Sequence, residues 1–201
     1  MAESPTVEET VEGLFPSEET VTEEPTVEAE PSPTGPAAEI NATAEAEGWL
    51  VGGLYDTPAD FVEDICDSLE DEENGKSHAQ WLVEGGHLEG DQGKVLLYGV
   101  PKLCPGSTGA VKAAVSGKYD RWFGNGTYVV SSKPIEGEET IPPGTYQAVG
   151  KMDDCYWERT SESGEIIANS FATSARKITV TIRSSDGQFT SERCAAWRPV
   201  K

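Results

Sequence analysis

The distribution of charge divides this chain more sharply than any other feature of its sequence. Residues 1–75 contain 22 aspartates and glutamates and no lysine or arginine, whereas the rest of the chain contains 14 acids and 15 bases. Like charges repel one another and keep a chain solvated, so the acidic part resists burial in a core. The net charge of −21 also argues against nucleic acid and against insertion into an anionic membrane surface, because both kinds of binding need basic patches.

Residues 1–47 combine this acidity with a low-complexity composition of Glu, Pro, Thr, Val and Ala. Five prolines between Pro16 and Pro36 exclude a long helix, because proline lacks the amide hydrogen and clashes with the preceding turn. We therefore predict a disordered acidic stalk over residues 1–47, extended by charge repulsion. The alternative is an acidic tail that docks on a basic partner. The first 30 residues lack the features of a signal peptide, and no apolar run approaches the ~20 residues that span a membrane.

Between residues 48 and 118 the apolar residues recur with the period of a helix. Thr57 followed by Pro58 is a typical helix start, since threonine caps the free amides and proline fits the first turn. Phe61, Ile65 and Leu69 then lie on one face. We predict a small helical domain over 48–118.

Three further helices complete this domain. Ser77 and Gln80 have the spacing of a capping box and predict a short helix that contains Trp81. A third helix is expected from about residue 91 to 100, where Pro101 should interrupt or bend it. The last is expected from 108 to about 117.

After residue 122 the apolar period changes to two, which is typical of strands. Turn residues separate the apolar runs at 142–144, 153–154, 161–164 and 184–187. The last of these predicts a hairpin between 178–182 and Phe189. We predict a small antiparallel β-sandwich domain over 122–199, so the fold class is α+β. The predicted strands are 127–130, 144–149, 155–160, 177–183, 188–190 and 194–197.

Four cysteines permit three pairings. The sequential pairing, Cys66 with Cys104 and Cys155 with Cys194, keeps each disulfide inside one predicted domain, whereas the other two place both bridges between domains. Closing a loop of about 39 residues removes roughly 4 kcal/mol of unfolded-state entropy, which is large for so small a core. Disulfides predict an oxidising, extracytoplasmic setting. The cysteines are too dispersed for a zinc site, and no metal or cofactor is expected.

The β region resembles a domain that recurs in surface proteins and lipoproteins of actinobacteria and their phages. The matching segments are GNGTYVV (124–130), IPPGTY (141–146), CYWER (155–159), IIAN (166–169), VTI (180–182), DGQF (186–189), Cys194 and Trp197. The resemblance implies a disulfide between Cys155 and Cys194. Residues 58–105 resemble the DUF732 family, small helical domains of mycobacterial secreted proteins, through Cys66, Trp81 and the Cys104-Pro105 dipeptide. Both resemblances imply export and a cell-envelope or virion setting, and neither implies a molecular activity.

No motif of a nucleophile elbow, a phosphate-binding loop or a zinc protease occurs in the chain, so we predict that the protein is not an enzyme. Aromatic residues concentrate in the β region, and four of them are candidates for stacking on a ligand. Core packing around the disulfide is the alternative for these rings. The four candidates are Tyr146, Tyr156, Trp157 and Trp197.

Three functions agree with these features. The first is a surface-associated binding or adhesion module on a spacer stalk, located outside the cell or in its envelope, with a cell-wall glycan or a surface protein as partner. The second is a phage-encoded structural or accessory virion protein. The third is a secreted enzyme inhibitor that uses a disulfide-stapled loop. The sequence predicts no oligomeric state.

Overall fold

The computed structural model describes residues 34–70 and 75–201, and it places five helices before one six-stranded sheet. The predicted α+β class is confirmed. The helices are α1 (Pro36–Glu47), α2 (Pro58–Glu70), α3 (His78–Glu84), α4 (Gln92–Leu103) and α5 (Thr108–Ser116), with a 3₁₀ turn at Pro105–Ser107. The strands are β1 (Gly126–Val130), β2 (Thr140–Ile141), β3 (Gly144–Thr160), β4 (Ile166–Ile182), β5 (Gln188–Glu192) and β6 (Trp197–Pro199).

The described residues belong to one compact unit. We call residues 34–117 the helical lobe, residues 118–125 the junction segment and residues 126–201 the β lobe. Residues 1–33, which hold most of the predicted stalk, and residues 71–74, between α2 and α3, lie outside the described residues.

Helix α1 corrects the predicted C-terminal limit of the stalk. Residues 36–47 form a helix that starts with Pro36 and ends at the left-handed Gly48. Ile40 and Ala44 are one helical turn apart and both are buried. The side-chain oxygen of Asn41 accepts a hydrogen bond from the amide of Ala59 in the first turn of α2. The prediction that the stalk extends to residue 47 is wrong, because an alanine-rich segment has high helix propensity and its small apolar face packs on the helical lobe.

Local start signals place α2 and α3 where the sequence predicts them. The hydroxyl of Thr57 accepts from the amide of Asp60, whose carboxylate in turn accepts from the amide of Thr57. The hydroxyl of Ser77 accepts from the amide of Gln80. Each contact satisfies an amide that the first turn of a helix leaves without a partner.

Helix α4 continues through Pro101 to Leu103. Of the predicted interruption or bend at this proline, the interruption is therefore wrong. The residues before and after Pro101 fix this last turn of the helix. Val100 is fully buried, and its carbonyl accepts a hydrogen bond from the amide of Cys104. Cys104 is in turn disulfide-bonded to Cys66 of α2. Packing and the disulfide therefore outweigh the hydrogen bond that proline removes. This disulfide and Cys155–Cys194 form the sequential pairing that the sequence favours.

Strands β3 and β4 are 17 residues long and form one hairpin. The predicted strands 144–149 and 155–160 are two parts of β3, and the turn predicted at 153–154 is wrong. In its place the register shifts between Val149 and Met152, and Asp154 has a left-handed backbone with φ of 59°. A bulge of this kind bends a strand and increases its twist without ending it.

The bend folds the sheet over its own core. A straight strand of this length would extend about 55 Å at roughly 3.3 Å per residue. However, Gly144 pairs with Ile182 at one end of β3 and Thr160 pairs with Gln188 at the other. The chain from Ile182 to Gln188 covers at most about 20 Å, so the two ends of β3 lie close together.

The strand order β2-β1-β5-β3-β4, with β6 also paired to β3, differs from the predicted antiparallel sandwich in two respects. The described strands form one continuous sheet, and β1 and β2 are parallel. The predicted hairpin across residues 184–187 is also wrong, because β5 pairs with β1 and β3 and not with β4. A buried ion pair, Arg159 Nη1 to Asp186 Oδ2 at 2.8 Å, holds this crossover against the end of β3.

Candidate functional site: a cleft between the lobes

Two of the four candidate stacking residues lie in the β core. Trp197 is fully buried, and its indole N–H donates to the hydroxyl of Ser191 at 2.8 Å. Tyr146 is 4% exposed, and its hydroxyl donates to the carbonyl of Pro142 at 2.8 Å. The prediction that Tyr146 and Trp197 stack on a ligand is therefore wrong, and core packing explains both rings.

Tyr156 and Trp157 remain partly accessible, but they lie on opposite sides of β3 because successive side chains of a strand alternate. Trp157 packs against the β core. The hydroxyl of Tyr156 donates to the carboxylate of Glu158 at 2.6 Å, and this hydrogen bond raises the pKa of Tyr156. The two rings cannot form one stacking platform.

A larger recess lies where the junction segment joins the two lobes. The side-chain oxygen of Gln80, a buried residue of α3, accepts from the backbone amide of Trp122 at 2.8 Å. The hydroxyl of Ser77 donates to the carbonyl of Asp120 at 2.8 Å. These contacts fix the path of the junction segment, and so determine where Trp122 projects.

Glu84 organises the charges on the helical side of this recess. Its carboxylate accepts from Gln80 at 3.1 Å and lies 2.8 Å from Lys76 Nζ and 3.6 Å from Arg121 Nε. Burial alone would raise the pKa of Glu84. The hydrogen bonds from Lys76 and Gln80, together with the charges of Lys76 and Arg121, outweigh it and hold the pKa below its ordinary value. Glu84 is therefore ionised at neutral pH and positions both cations.

The recess is a cleft of about 990 Å³, which we call the junction cleft. The guanidinium of Arg198 stacks over the ring of Trp122, 3.9 Å from its centroid, and that of Arg121 lies 5.3 Å from the centroid of Phe123. Of the described lining residues, four are basic and two are acidic, a local excess of positive charge in a chain whose net charge is −21. The bases are Lys76, Arg121, Lys151 and Arg198, and the acids are Glu84 and Glu139.

Asn125 fixes the β side of the junction cleft. Its side-chain oxygen accepts from the amide of Cys194 at 2.9 Å, and its side-chain nitrogen donates to the carbonyl of the same residue at 3.2 Å. Cys194 is in turn bonded to Cys155 on β3. The wall of the cleft is therefore held covalently and by paired hydrogen bonds, which favours a site that is formed before a ligand arrives.

Trp122 also lines a second, smaller cleft of about 590 Å³, together with residues of α3, α5 and the C-terminus. Lys201 lines it as well and forms an ion pair with Asp120 at 3.0 Å. One indole thus contributes to two adjoining recesses, so a ligand in either of them can contact Trp122.

None of the four residues predicted to stack on a ligand lines the junction cleft. Its residues come mainly from α3, the junction segment, β1, β3 and residues 194–198, which are distant along the chain. The available signal is the adjacent pair Trp122 and Phe123 at the boundary between the two predicted domains, with Arg121 directly before the pair and Arg198 directly after Trp197.

Among residues 34–70 and 75–201, no group of three or more His, Cys, Asp and Glu side chains is arranged to hold a metal ion. Within the same residues, no helix has the length and apolar composition needed to cross a bilayer.

Comparison with protein families relates the second half of the chain to a known domain. Residues 120–198, which comprise most of the junction segment and the β lobe, match the family model of the Rv1352-like extracellular domain. The match covers less than half of the chain and leaves out the helical lobe. Searches of curated proteins and of solved structures find no significant match. The β lobe is thus similar to an extracellular domain, and this similarity fits the predicted extracellular or envelope location and the two disulfides.

Proposed function

We propose that the protein is a non-catalytic extracellular binding module whose junction cleft holds a carboxylate-bearing glycan of a cell envelope. The observation that carries the proposal is the excess of basic residues around an accessible tryptophan, in a chain that is otherwise strongly acidic. The family match of the β lobe supports the extracellular part of the proposal.

The chemistry of the lining suits an acidic sugar. A guanidinium group presents several N–H donors in one plane and binds carboxylates through two parallel hydrogen bonds. Arg121 and Arg198 supply two such groups, one beside Phe123 and one over Trp122. Because the guanidinium of Arg198 covers one face of the Trp122 indole, a sugar ring in the cleft would stack on this planar guanidinium or contact the edge of the indole. Thr127 and Asn125 add polar groups for hydroxyls.

The positions of the two arginines are set before binding. Glu84 holds Arg121, and the ring of Trp122 holds Arg198. A cation that is already oriented loses little conformational freedom when a ligand arrives, so more of the interaction energy appears as affinity. The ion pair with Glu84 also limits how far the Arg121 side chain can rotate. The distance between the Arg121 and Arg198 guanidinium groups is therefore restricted, which favours ligands whose carboxylates match that distance.

The test is a binding measurement on the full chain with two oligosaccharides of equal length, one neutral and one built from uronic acids. We expect the acidic oligosaccharide to bind more tightly, and Arg198→Gln to weaken its binding about tenfold because one charge-assisted contact is lost. Arg183→Gln is the matched control, since Arg183 is exposed and does not line either cleft.

Three outcomes would contradict the proposal. The first is that the two oligosaccharides bind with equal affinity, or that neither of them binds. The second is an equal loss of affinity in the control variant. The third is a preference for polyglutamate of the same charge, which would identify the ligand as an acidic peptide.

A further inference from the structure

Strand β4 ends the sheet and offers an unpaired edge. Within the described part of the chain it pairs with β3 alone, along its whole length of 17 residues. Soluble proteins usually protect such an edge with charged residues, prolines or bulges, because its free amide and carbonyl groups can pair with another strand. An edge without this protection is therefore a candidate interface.

The first ten residues of β4, 166–175, contain no charged residue and no proline. Three large apolar side chains in this stretch are exposed: Ile166 and Phe171 at 59% and Ile167 at 44%. Arg176 and Lys177 follow immediately, so the protective charges are confined to the second half of the strand. The first half has the composition of a strand that is covered by a partner.

We propose that a second copy of this chain covers the edge, with its own β4 paired antiparallel about Phe171. A two-fold axis perpendicular to the sheet relates the two strands of such a pair, and it keeps each residue on its own side of the sheet. Two residues that face each other across the pair must therefore lie on the same side of the sheet. Because successive side chains of a strand alternate between the two sides, the residue numbers of each facing pair must add to an even total. Placing the axis at Phe171 satisfies this condition.

This register brings opposite charges together. Glu165, the last residue before β4, faces Lys177 of the second copy, and the symmetry forms this pair twice. Moving the axis by one residue in either direction places Glu165 opposite the uncharged Ala175 or Thr179. Both charged residues are exposed, and neither forms an ion pair with another described residue of its own chain.

The same register places apolar groups side by side. Phe171 is the cross-strand neighbour of Tyr156 on β3, so the dimer would carry a row of four aromatic rings across the joined sheets. Directly facing side chains of an antiparallel pair have Cβ atoms about 4.5–5.5 Å apart, close enough for Phe171 to contact its counterpart. Ile167 would face the small Ala175 of the second copy. This interface does not involve the junction cleft, so it is independent of the proposed ligand.

Sedimentation equilibrium of the full chain tests the proposal, carried to several hundred micromolar because an interface formed by one strand pair is small. We expect a reversible dimer. Glu165→Lys and Lys177→Glu should each weaken it about tenfold, since each variant creates two like-charge contacts. The double variant restores opposite charges and should return the dissociation constant to within about threefold of the original.

The rescue is specific to the interface because Glu165 and Lys177 lie on the two sides of the bend in the β3–β4 hairpin and neither forms an ion pair with another described residue of its own chain. Lys112→Glu, at an exposed position of α5, is the control for a change in net charge. A chain that stays monomeric, single reversals that leave the dimer unchanged, or a double variant that fails to recover would each overturn the proposal.

Discussion

Gly99 lies where α4 packs against α1 and α2, and replacing it with alanine tests how the helical lobe is packed. An added Cβ would lie 2.7 and 3.0 Å from the two terminal carbons of Val62 on α2, and 3.2 Å from the Cδ1 of Ile40 on α1. Val62 is fully buried and Ile40 is 1% exposed. A branched side chain in a closed core has one preferred rotamer and cannot turn away.

The expected magnitude is the difference of two effects. Alanine in a helix is more stable than glycine by about 1 kcal/mol. Overpacking a closed core costs about 1–3 kcal/mol, and contact with two methyl groups of Val62 and with Ile40 places Gly99→Ala in the upper half of that range. The net expectation is a destabilisation of about 1–2 kcal/mol, which lowers the melting temperature by roughly 2–8 °C in a unit of this size.

Gly93→Ala is the matched control on the same helix. Its Cβ would make ordinary contacts, at 3.5 Å from Val115 Cγ2 and 3.9 Å from Leu88 Cδ2. Because the residue lies near the start of α4, we expect a smaller gain of about 0.5 kcal/mol. Thermal and urea denaturation with the disulfides intact should thus give opposite signs. The packing would be refuted if Gly99→Ala were as stable as Gly93→Ala, since α1 and α2 could not then lie against α4.

Two further predictions concern ionisable groups. Asp186→Ala should destabilise the protein by about 3–5 kcal/mol in urea denaturation, because it leaves Arg159 buried without its partner. The control Asp153→Ala, at an exposed position, should cost under about 1 kcal/mol. Similar losses in the two variants would refute the buried ion pair. Burial, partly opposed by the charge of a nearby aspartate, lowers the pKa of His87 below 6.5, so the folded state loses stability as the pH falls through that value. The melting temperature of His87→Gln should therefore fall less than that of the wild type between about pH 7.5 and 5.5. Identical slopes for the two proteins would refute the assignment.

The features that the sequence predicts correctly depend on few residues close together. Thr57 and Ser77 mark the starts of α2 and α3 because each caps amides within three positions. Gly117 marks the end of α5 because it adopts the left-handed backbone that glycine tolerates best. Local chemistry decides these positions, whatever the rest of the chain does.

The features that it misses depend on contacts between distant residues. Helix α1 is stabilised by α2 and α4, to which it is joined by the contact of Asn41 with Ala59 and the ion pair of Glu39 with Lys102. The acidic composition of residues 1–47 predicts disorder and gives no sign of these two contacts. The bend in β3 resembles a turn in sequence because two aspartates and a glycine accompany a bulge. The resemblance of residues 58–105 to the DUF732 family stays a prediction.

The candidate site is the least predictable part for the same reason. The aromatic residues of the β region divide between core and surface according to which side of a bent sheet they occupy, and the bend itself is not evident from the alternation of residues. Trp122 acquires its surroundings from α3 and β6 only after the lobes have packed.

Fluorine NMR of the full chain labelled with fluorotryptophan tests the central claim most directly, because it reports on each of the five tryptophans separately. During titration with the uronic-acid oligosaccharide, we expect the Trp122 resonance to shift progressively, while that of the fully buried Trp197 stays in place. Assignment follows from the signal lost in Trp122→Phe. A saturable shift of Trp157 with an unmoved Trp122, or binding that moves neither, would contradict a ligand site in the junction cleft.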